Sequence, residues 1–395
     1  MNQWDCLICY NKIEADNLPA ECNSCGANSK SIVLSSVEGE PADPKKFRGL
    51  AQNLEDTRDR ARMKLRGLCA VYPHCDGGDD KICQKEAYGK PIGFGGAGSG
   101  SSFAANVKSL DNIRLKMRVV GDHFTPDTET TFLGEKISVP VMGASTAGIQ
   151  NYNHTITEHD FCRATIRGCR EAGTITWRGD TFFYTPEDNP ALSAIEKEKS
   201  KVVQIFKPRA QDVLKQLIEM AEKAGCLAVG VDLDGCGSTI MARNNQPVFR
   251  KSVKDIKELV SFSSLPFITK GIMTPEDAED CAEAGVSAVS VSNHGGRVLD
   301  CTRGVAEVLP AIAERLKGKV TITADGGVRT GYDAFKMIAL GADAVLNGRD
   351  VIRAAVGSGS KGVFFQMERF KQTLRQAMMM TRCPDISSIN KNVLD

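Results

Sequence analysis

The chain is 395 residues long, with 50 Lys+Arg against 49 Asp+Glu and a formal net charge of +1. A chain of this length buries roughly three quarters of its unfolded surface without covalent staples, and it has no long block of like charge to serve as a nucleic-acid or anionic-membrane surface. No stretch reaches about 18 uninterrupted apolar residues, and Met1 to Cys6 lacks the basic and apolar regions of a secretory signal, so a soluble cytoplasmic protein is expected.

The first motif along the chain suits a metal. Cys6-Leu7-Ile8-Cys9 and Cys22-Asn23-Ser24-Cys25 are CxxC pairs separated by twelve residues. Without an export signal, two such pairs point to one tetrahedral four-sulfur site built from Cys6, Cys9, Cys22 and Cys25. Zinc and iron both suit four thiolates, which leaves the metal open. Residues 1–38 are expected to form this small domain and residues 39–102 a connector: a helical Arg/Lys-rich part, Phe47 to Arg66, then an irregular Cys/Gly-rich part. There Cys69, Cys75 and Cys83 fall one short of the four thiolates an iron–sulfur cluster usually takes. Tyr72 stands between the first two and Cys236 is a distant fourth, so free thiols are the expectation. Gly93 to Gly100 reads as a lead-in, because no strand precedes it as a phosphate loop would need.

From about Val139 the texture changes. Eight apolar runs follow: Val139–Ala144, Gly173–Arg178, Lys201–Phe206, Leu227–Asp232, Pro266–Lys270, Ala288–Ser292, Val320–Ala324 and Ala344–Asn347. Amphipathic segments such as Ala210–Ala224, Thr274–Ala284 and Gly304–Leu316 separate them, with Val213, Leu214, Leu217, Ile218 and Ala221 at helical spacing. A spacing of about thirty residues is that of one βα unit. Continuous apolar strands suit a parallel sheet covered on both faces. The prediction is an α/β protein with a (β/α)8 TIM barrel over 103–395; an open doubly wound sheet is the alternative.

Barrel chemistry sits where strands end. Lys270 ends the fifth run; Ser292-Asn293-His294-Gly295-Gly296-Arg297 ends the sixth, Asp325-Gly326-Gly327-Val328-Arg329 the seventh and Gly348-Arg349 the eighth. Glycines let backbone N–H groups approach an anion, a helix N-terminus adds partial positive charge, and arginine forks two phosphate oxygens. His294, beside Arg297, combines a base with a carboxylate clamp, which suits a substrate bearing a hydroxyl next to a carboxylate.

With SNHGGRVLD, ADGGVRTG and ALGADAVLNGRD, the stretch Leu265 to Ile389 resembles the FMN-dependent 2-hydroxy acid dehydrogenase/oxidase family, which includes glycolate and lactate oxidases. Weaker similarity reaches back to about Gly96 through Asn106, 135–140 and 171–175. The resemblance implies FMN on the barrel, with Lys270 at the flavin N1/C2=O edge, His294 as base and Arg297 on the substrate carboxylate. It implies that Asp325, Gly326, Gly327, Arg329, Gly348 and Arg349 surround the phosphate, and that Thr146, Ala147, Gln204 and Ser292 touch the ring or its side chain. Asp234 takes the place of the aspartate that supports the histidine, and Asp232, standing for a flavin-contacting threonine, is the other candidate. Two tyrosines and a second arginine of the family's carboxylate pocket are missing: Ile92 and Phe206 stand at the tyrosine positions, and Arg243 is only near in sequence.

Trp4-Asp5-Cys6 and the twelve-residue spacing resemble the rubredoxin-like domains of rubrerythrins, which implies iron; zinc stays open. The expectation is oxidation of a lactate-like 2-hydroxy acid to the 2-oxo acid, with electrons passing from FMN through the four-cysteine iron centre to a soluble carrier. The resemblance also implies a homo-oligomer. Two alternatives are an FMN-dependent isomerase of the isopentenyl diphosphate type and a hydroxy acid oxidase with a structural zinc ribbon.

Overall fold

The computed structural model describes residues 2–37, 47–65, 97, 99–150, 155–316 and 318–395. Cys69, Tyr72, Cys75, Cys83 and Ile92 lie outside the described residues. At the N-terminus, β1 (Asn2–Cys6), β2 (Lys12–Ala15) and β3 (Ile32–Ser36) make an antiparallel sheet in the order β2-β1-β3. Helix α1 (Leu54–Lys64) follows within the expected connector, N-capped by Asn53 on the amide of Asp56. Next come α2 (Ser101–Asp111) and the hairpin β4 (Thr130–Phe132) with β5 (Glu135–Ile137).

All eight apolar runs become parallel strands. Strands β6 (Val141–Thr146), β7 (Thr176–Arg178), β8 (Val202–Phe206) and β9 (Ala228–Asp232) are separated by α3 (Glu158–Glu171), α4 (Pro190–Glu198) and α5 (Gln211–Lys223). After α6 (Thr239–Arg243) and α7 (Val253–Phe262), β10 (Phe267–Ile272), α8 (Pro275–Glu283), β11 (Ala288–Val291), α9 (Val305–Leu316) and β12 (Thr321–Ala324) continue the alternation. It ends with α10 (Gly331–Ala339), β13 (Ala344–Asn347) and α11 (Arg349–Thr381). The sheet closes in the order β10-β11-β12-β13-β6-β7-β8-β9, so no strand edge is left open.

Alternation along each strand splits the apolar side chains into two cores. Met142, Trp177, Val203, Ile205, Ile268, Ala288 and Leu346 fill the barrel, joined by Phe132 and Ile137 of the hairpin. Val202, Phe206, Val229, Val231, Val289 and Val345 pack with the helices around it. Cys6, Ile8, Cys22 and Ile32 of the N-terminal sheet belong to this outer core.

The N-terminal lobe is seated on α3 and α11. Asp160 accepts from the Asn28 amide at 3.0 Å and from Ser31 Oγ at 2.8 Å, Arg163 donates to the Cys25 carbonyl, and Arg167 donates to the Ile8 carbonyl. Helix α11 breaks at Ser358 and Gly359 (φ 58°, ψ −141°). At the break the amide of Ser360 donates to the Leu7 carbonyl and its hydroxyl to that of Ile8. A Cβ on Gly359 would stand 2.1 Å from the Leu7 oxygen, so only glycine admits the knuckle here.

Candidate active site and metal centre

At the C-terminal ends of the strands lies a solvent-open cleft of about 860 Å³. Lys270, His294, Arg297, Gly326, Gly327, Arg329, Gly348 and Arg349 line it, together with Thr146 and Asp325. Lys270 donates to Ser292 Oγ at 2.8 Å and stands 3.4 Å from Asp232 and 3.5 Å from Asp325. Ser292 in turn donates to Asp325 at 2.7 Å and accepts the His294 amide at 3.0 Å.

His294 sits on a strained turn. His294, Gly295 and Gly296 all have positive φ (59°, 62° and 78°), a conformation costly for a non-glycine residue and held only by its surroundings. A Cβ on Gly295 would meet Arg349 Nη1 at 2.8 Å, and one on Gly296 the Phe103 amide nitrogen at 2.4 Å. The turn is fixed from outside by Asn293, which exchanges side-chain hydrogen bonds with Asn106 of α2. Asp300 holds the start of α2 by accepting from the amides and hydroxyls of Ser99 and Ser101.

The imidazole Nδ1 is 3.1 Å from both Asp232 Oδ2 and Asp234 Oδ1. Asp232 also receives Lys207 Nζ at 2.7 Å. Burial pushes the His294 pKa well below 6.5; Lys207, Lys270 and Arg297 push the same way against the pull of Asp232. Burial alone would raise Asp232, yet His294, Lys207 and Lys270 hold it well below the usual carboxylate range. Burial and the charge on Asp232 push Asp234 well above that range. Of the two carboxylates, Asp232 is the one whose negative charge the surroundings favour. An acceptor at Nδ1 fixes the tautomer, so Nε2 is the nitrogen left to take a proton.

Glycines and arginines make up much of the remaining lining. Gly326 and Gly327 have φ of 84° and 80°, and a Cβ at either would press on Asn106 at 2.9 or 2.6 Å. Gly348 opens α11 with no side chain of its own to cap it; Asn347 Oδ1 accepts the Val351 amide at 3.1 Å, and the start of the helix carries the partial positive charge that suits an anion. Arg349 lies over the Phe103 ring at 4.5 Å and donates to the Gly295 carbonyl. Arg329 reaches the cleft while paired with Asp111 and Asp333.

The four cysteines also converge. Their sulfur atoms all lie within 4.8 Å of one another, with Cys6 to Cys25 at 3.8 Å and Cys9 to Cys22 at 3.6 Å. A disulfide needs roughly 2.05 Å. A tetrahedral ion with bonds of about 2.3 Å sets its ligands roughly 3.8 Å apart, so the thiols have the spacing of a zinc or iron site.

The sequence profile of the FMN-dependent dehydrogenase family matches residues 93–251 and 238–395. A peroxisomal (S)-2-hydroxyacid oxidase of Arabidopsis thaliana is 31% identical over 332 residues, covering 75% of this chain and 89% of its own. The chain belongs to the FMN-dependent dehydrogenase family. Among solved structures, a mandelate oxidase variant with an FMN adduct superposes with a TM-score of 0.65 at 27% identity, covering 76% of this chain and 93% of its own. A flavocytochrome b2 variant with pyruvate bound gives 0.71 at 26%, covering 87% and 86%. This FMN-dependent dehydrogenase is thus an oxidoreductase on a TIM barrel.

The cleft of this family member fits the cofactor its name requires. Gly326, Gly327 and Gly348 bring bare backbone to its wall, and Lys270, Arg297, Arg329 and Arg349 line it with the positive charge that a phosphate and an anionic reduced ring call for. Of the residues picked out from sequence, Thr146, Lys270, His294, Arg297, Asp325, Gly326, Gly327, Arg329, Gly348 and Arg349 line the cleft. Ser292 and Asp234 stand behind it, bonded to Lys270 and His294. Gln204 is buried on β8, its amide nitrogen donating to the Gly179 carbonyl, and Ala147 is half-buried after β6. Phe206 does not reach the cleft, for it packs in the outer core. Arg243 is exposed on α6. Phe103, Arg353 and Lys207 were not singled out. Arg353 was legible as the residue one helical turn after Arg349, and Lys207 as a lysine directly after a strand run.

Proposed function

We propose that the protein oxidises a 2-hydroxy acid to the 2-oxo acid with FMN, and that the electrons leave through a metal, iron for preference, held by Cys6, Cys9, Cys22 and Cys25. The observation that carries the first half is Nδ1 of His294 held by two carboxylates beside a cleft that also presents Arg297. Arg297 binds the substrate carboxylate. Nε2 of His294, neutral at pH 7, takes a proton from the hydroxy acid, and ionised Asp232 stabilises the imidazolium that results. FMN, when bound, supplies the two-electron acceptor. Gly326, Gly327, Gly348, Arg329 and Arg349 would hold its phosphate, with Gln204, Thr146 and Ala147 toward the ring. Lys270 would meet its N1/C2=O edge, its positive charge retained because Asp232 and Asp325 outweigh its burial.

The sulfur spacing supports the metal, and the seat of the lobe supports an outlet. Gly359, which receives the Cys6–Cys9 knuckle, follows Arg349 by ten residues on α11, roughly 15 Å at about 1.5 Å per residue. A soluble carrier would then collect the electrons one at a time, and an assembly of several copies accords with the same scheme. No described helix is long and apolar enough to cross a membrane.

Anaerobic addition of 2-hydroxy acids to the coloured protein tests both halves. Flavin and ferric-thiolate bands should bleach together, and His294→Ala should keep the flavin but stop the bleaching. Rapid bleaching in that variant removes His294 as base; a colourless zinc-filled lobe removes the internal outlet and leaves oxygen as acceptor.

A further inference from the structure

We propose that Lys207 is a positioning residue of this active site: by its ion pair with Asp232 it fixes the carboxylate cradle of His294 and sets the acid limit of turnover. The inference rests on His294 being the base.

The alternation of β8 puts Val203 and Ile205 inside the barrel and Phe206 outside. One residue further, Lys207 turns inward, and its Nζ lies 2.7 Å from Asp232 Oδ2 with the lysine side chain 14% and the carboxylate 6% exposed. That same oxygen is the one 3.1 Å from His294 Nδ1. Lysine and imidazole therefore share a single acceptor atom, while Lys270 stands at the other oxygen and divides itself with Asp325. Removing one member of a buried pair leaves the other charge uncompensated, so Asp232 would lose its closest partner.

The lysine is itself held. Its amide donates to Asp180 at 3.0 Å, and Asp180 is forked by Arg209 at 2.8 and 2.9 Å. Pro208 follows in the chain, and the loop after β9 closes over the stem: a Cβ on Gly235 would meet Lys207 Cδ at 3.0 Å and Pro208 Cδ at 2.9 Å. Such bracing is what a residue that orients another requires.

The charges facing His294 come from five elements: Lys207 after β8, Asp232 and Asp234 at the end of β9, Lys270 on β10, Arg297 on its own loop, and Asp325 after β12 acting through Lys270. Lys207, Lys270 and Arg297 disfavour the imidazolium and Asp232 favours it. Loss of Lys207 removes one repelling cation, while Asp232 keeps Lys270 and stays ionised. The imidazole then holds its proton to higher pH.

The test uses FMN-loaded Lys207→Met, Lys207→Gln and Lys207→Arg. Two readouts are taken against pH: kcat/KM for a 2-hydroxy acid, and carbethoxylation of His294 by diethyl pyrocarbonate, taken as the difference from the matching His294→Gln protein. Met and Gln should each move both midpoints up by roughly one pH unit, and Arg should return both to the wild-type value. Either neutral variant suffices if the other does not fold. Midpoints that stay put, move down, or move equally in Lys207→Arg overturn the proposal. Turnover surviving in His294→Gln overturns the base assignment instead, and the carbethoxylation shift then still reports on Lys207.

Discussion

Two clusters of potential metal ligands lie in this protein, and they differ in what completes them. Cys6, Cys9, Cys22 and Cys25 form one; Asp232, Asp234 and His294 form the other, their ligand atoms also within 4.8 Å. In the second, two lysine ammonium groups already stand at 2.7 and 3.4 Å from Asp232, where a cation would have to sit. It is balanced from within and free to move a proton. The quartet of thiols stands at metal-site spacing, which suits the ion proposed for it. Similar ligand geometry thus has opposite meanings, decided by whether the fold supplies its own positive charge.

The largest effect expected from this contrast is on the cysteines. Cys22→Ser should abolish stoichiometric metal binding and expose residues 2–37 to hydrogen exchange, since apparent binding energies of structural zinc sites run to about 10–16 kcal/mol; retained metal and protection would show the lobe stands without its ion. Next, Asp232→Asn should lower kcat/KM by roughly ten- to a hundredfold, the range of a hydrogen bond to a charged group. Asp234→Asn should cost only a few fold, because burial and the neighbouring Asp232 disfavour a charge on Asp234. Equal losses in steady-state assays would dissolve the distinction between them. The smallest effect on activity is expected from Gly359→Ala, where a positive φ and the Leu7 carbonyl oppose a side chain; it should lower Tm by an amount equivalent to about 1–3 kcal/mol and loosen the lobe without altering the pH profile.

The barrel was legible because burial on both faces makes each strand a continuous apolar run, and the loop residues because barrel chemistry gathers at strand ends. Asp232 and Asp234 could not be ranked from sequence: both reach one nitrogen only because a tight turn (Leu233–Gly237) follows β9. Phe206 was read as a cleft residue and Lys207 passed over, since which of two neighbours faces inward depends on the register of β8. The seat of the lobe was hidden too. Its contacts join residues more than a hundred positions apart, Asn28 with Asp160 and Ile8 with Ser360, and local pattern carries no record of them.

The break in α11 makes the N-terminal lobe a plug rather than an ornament. Cut away residues 2–37 and the amide of Ser360 would lose the carbonyl that satisfies it, while the outer apolar layer beneath Ile8 and Cys6 would be stripped bare. A shortened barrel would have to heal that helix with new residues before its mouth could be trusted, so trimming this enzyme down to its catalytic half is a redesign and not a deletion.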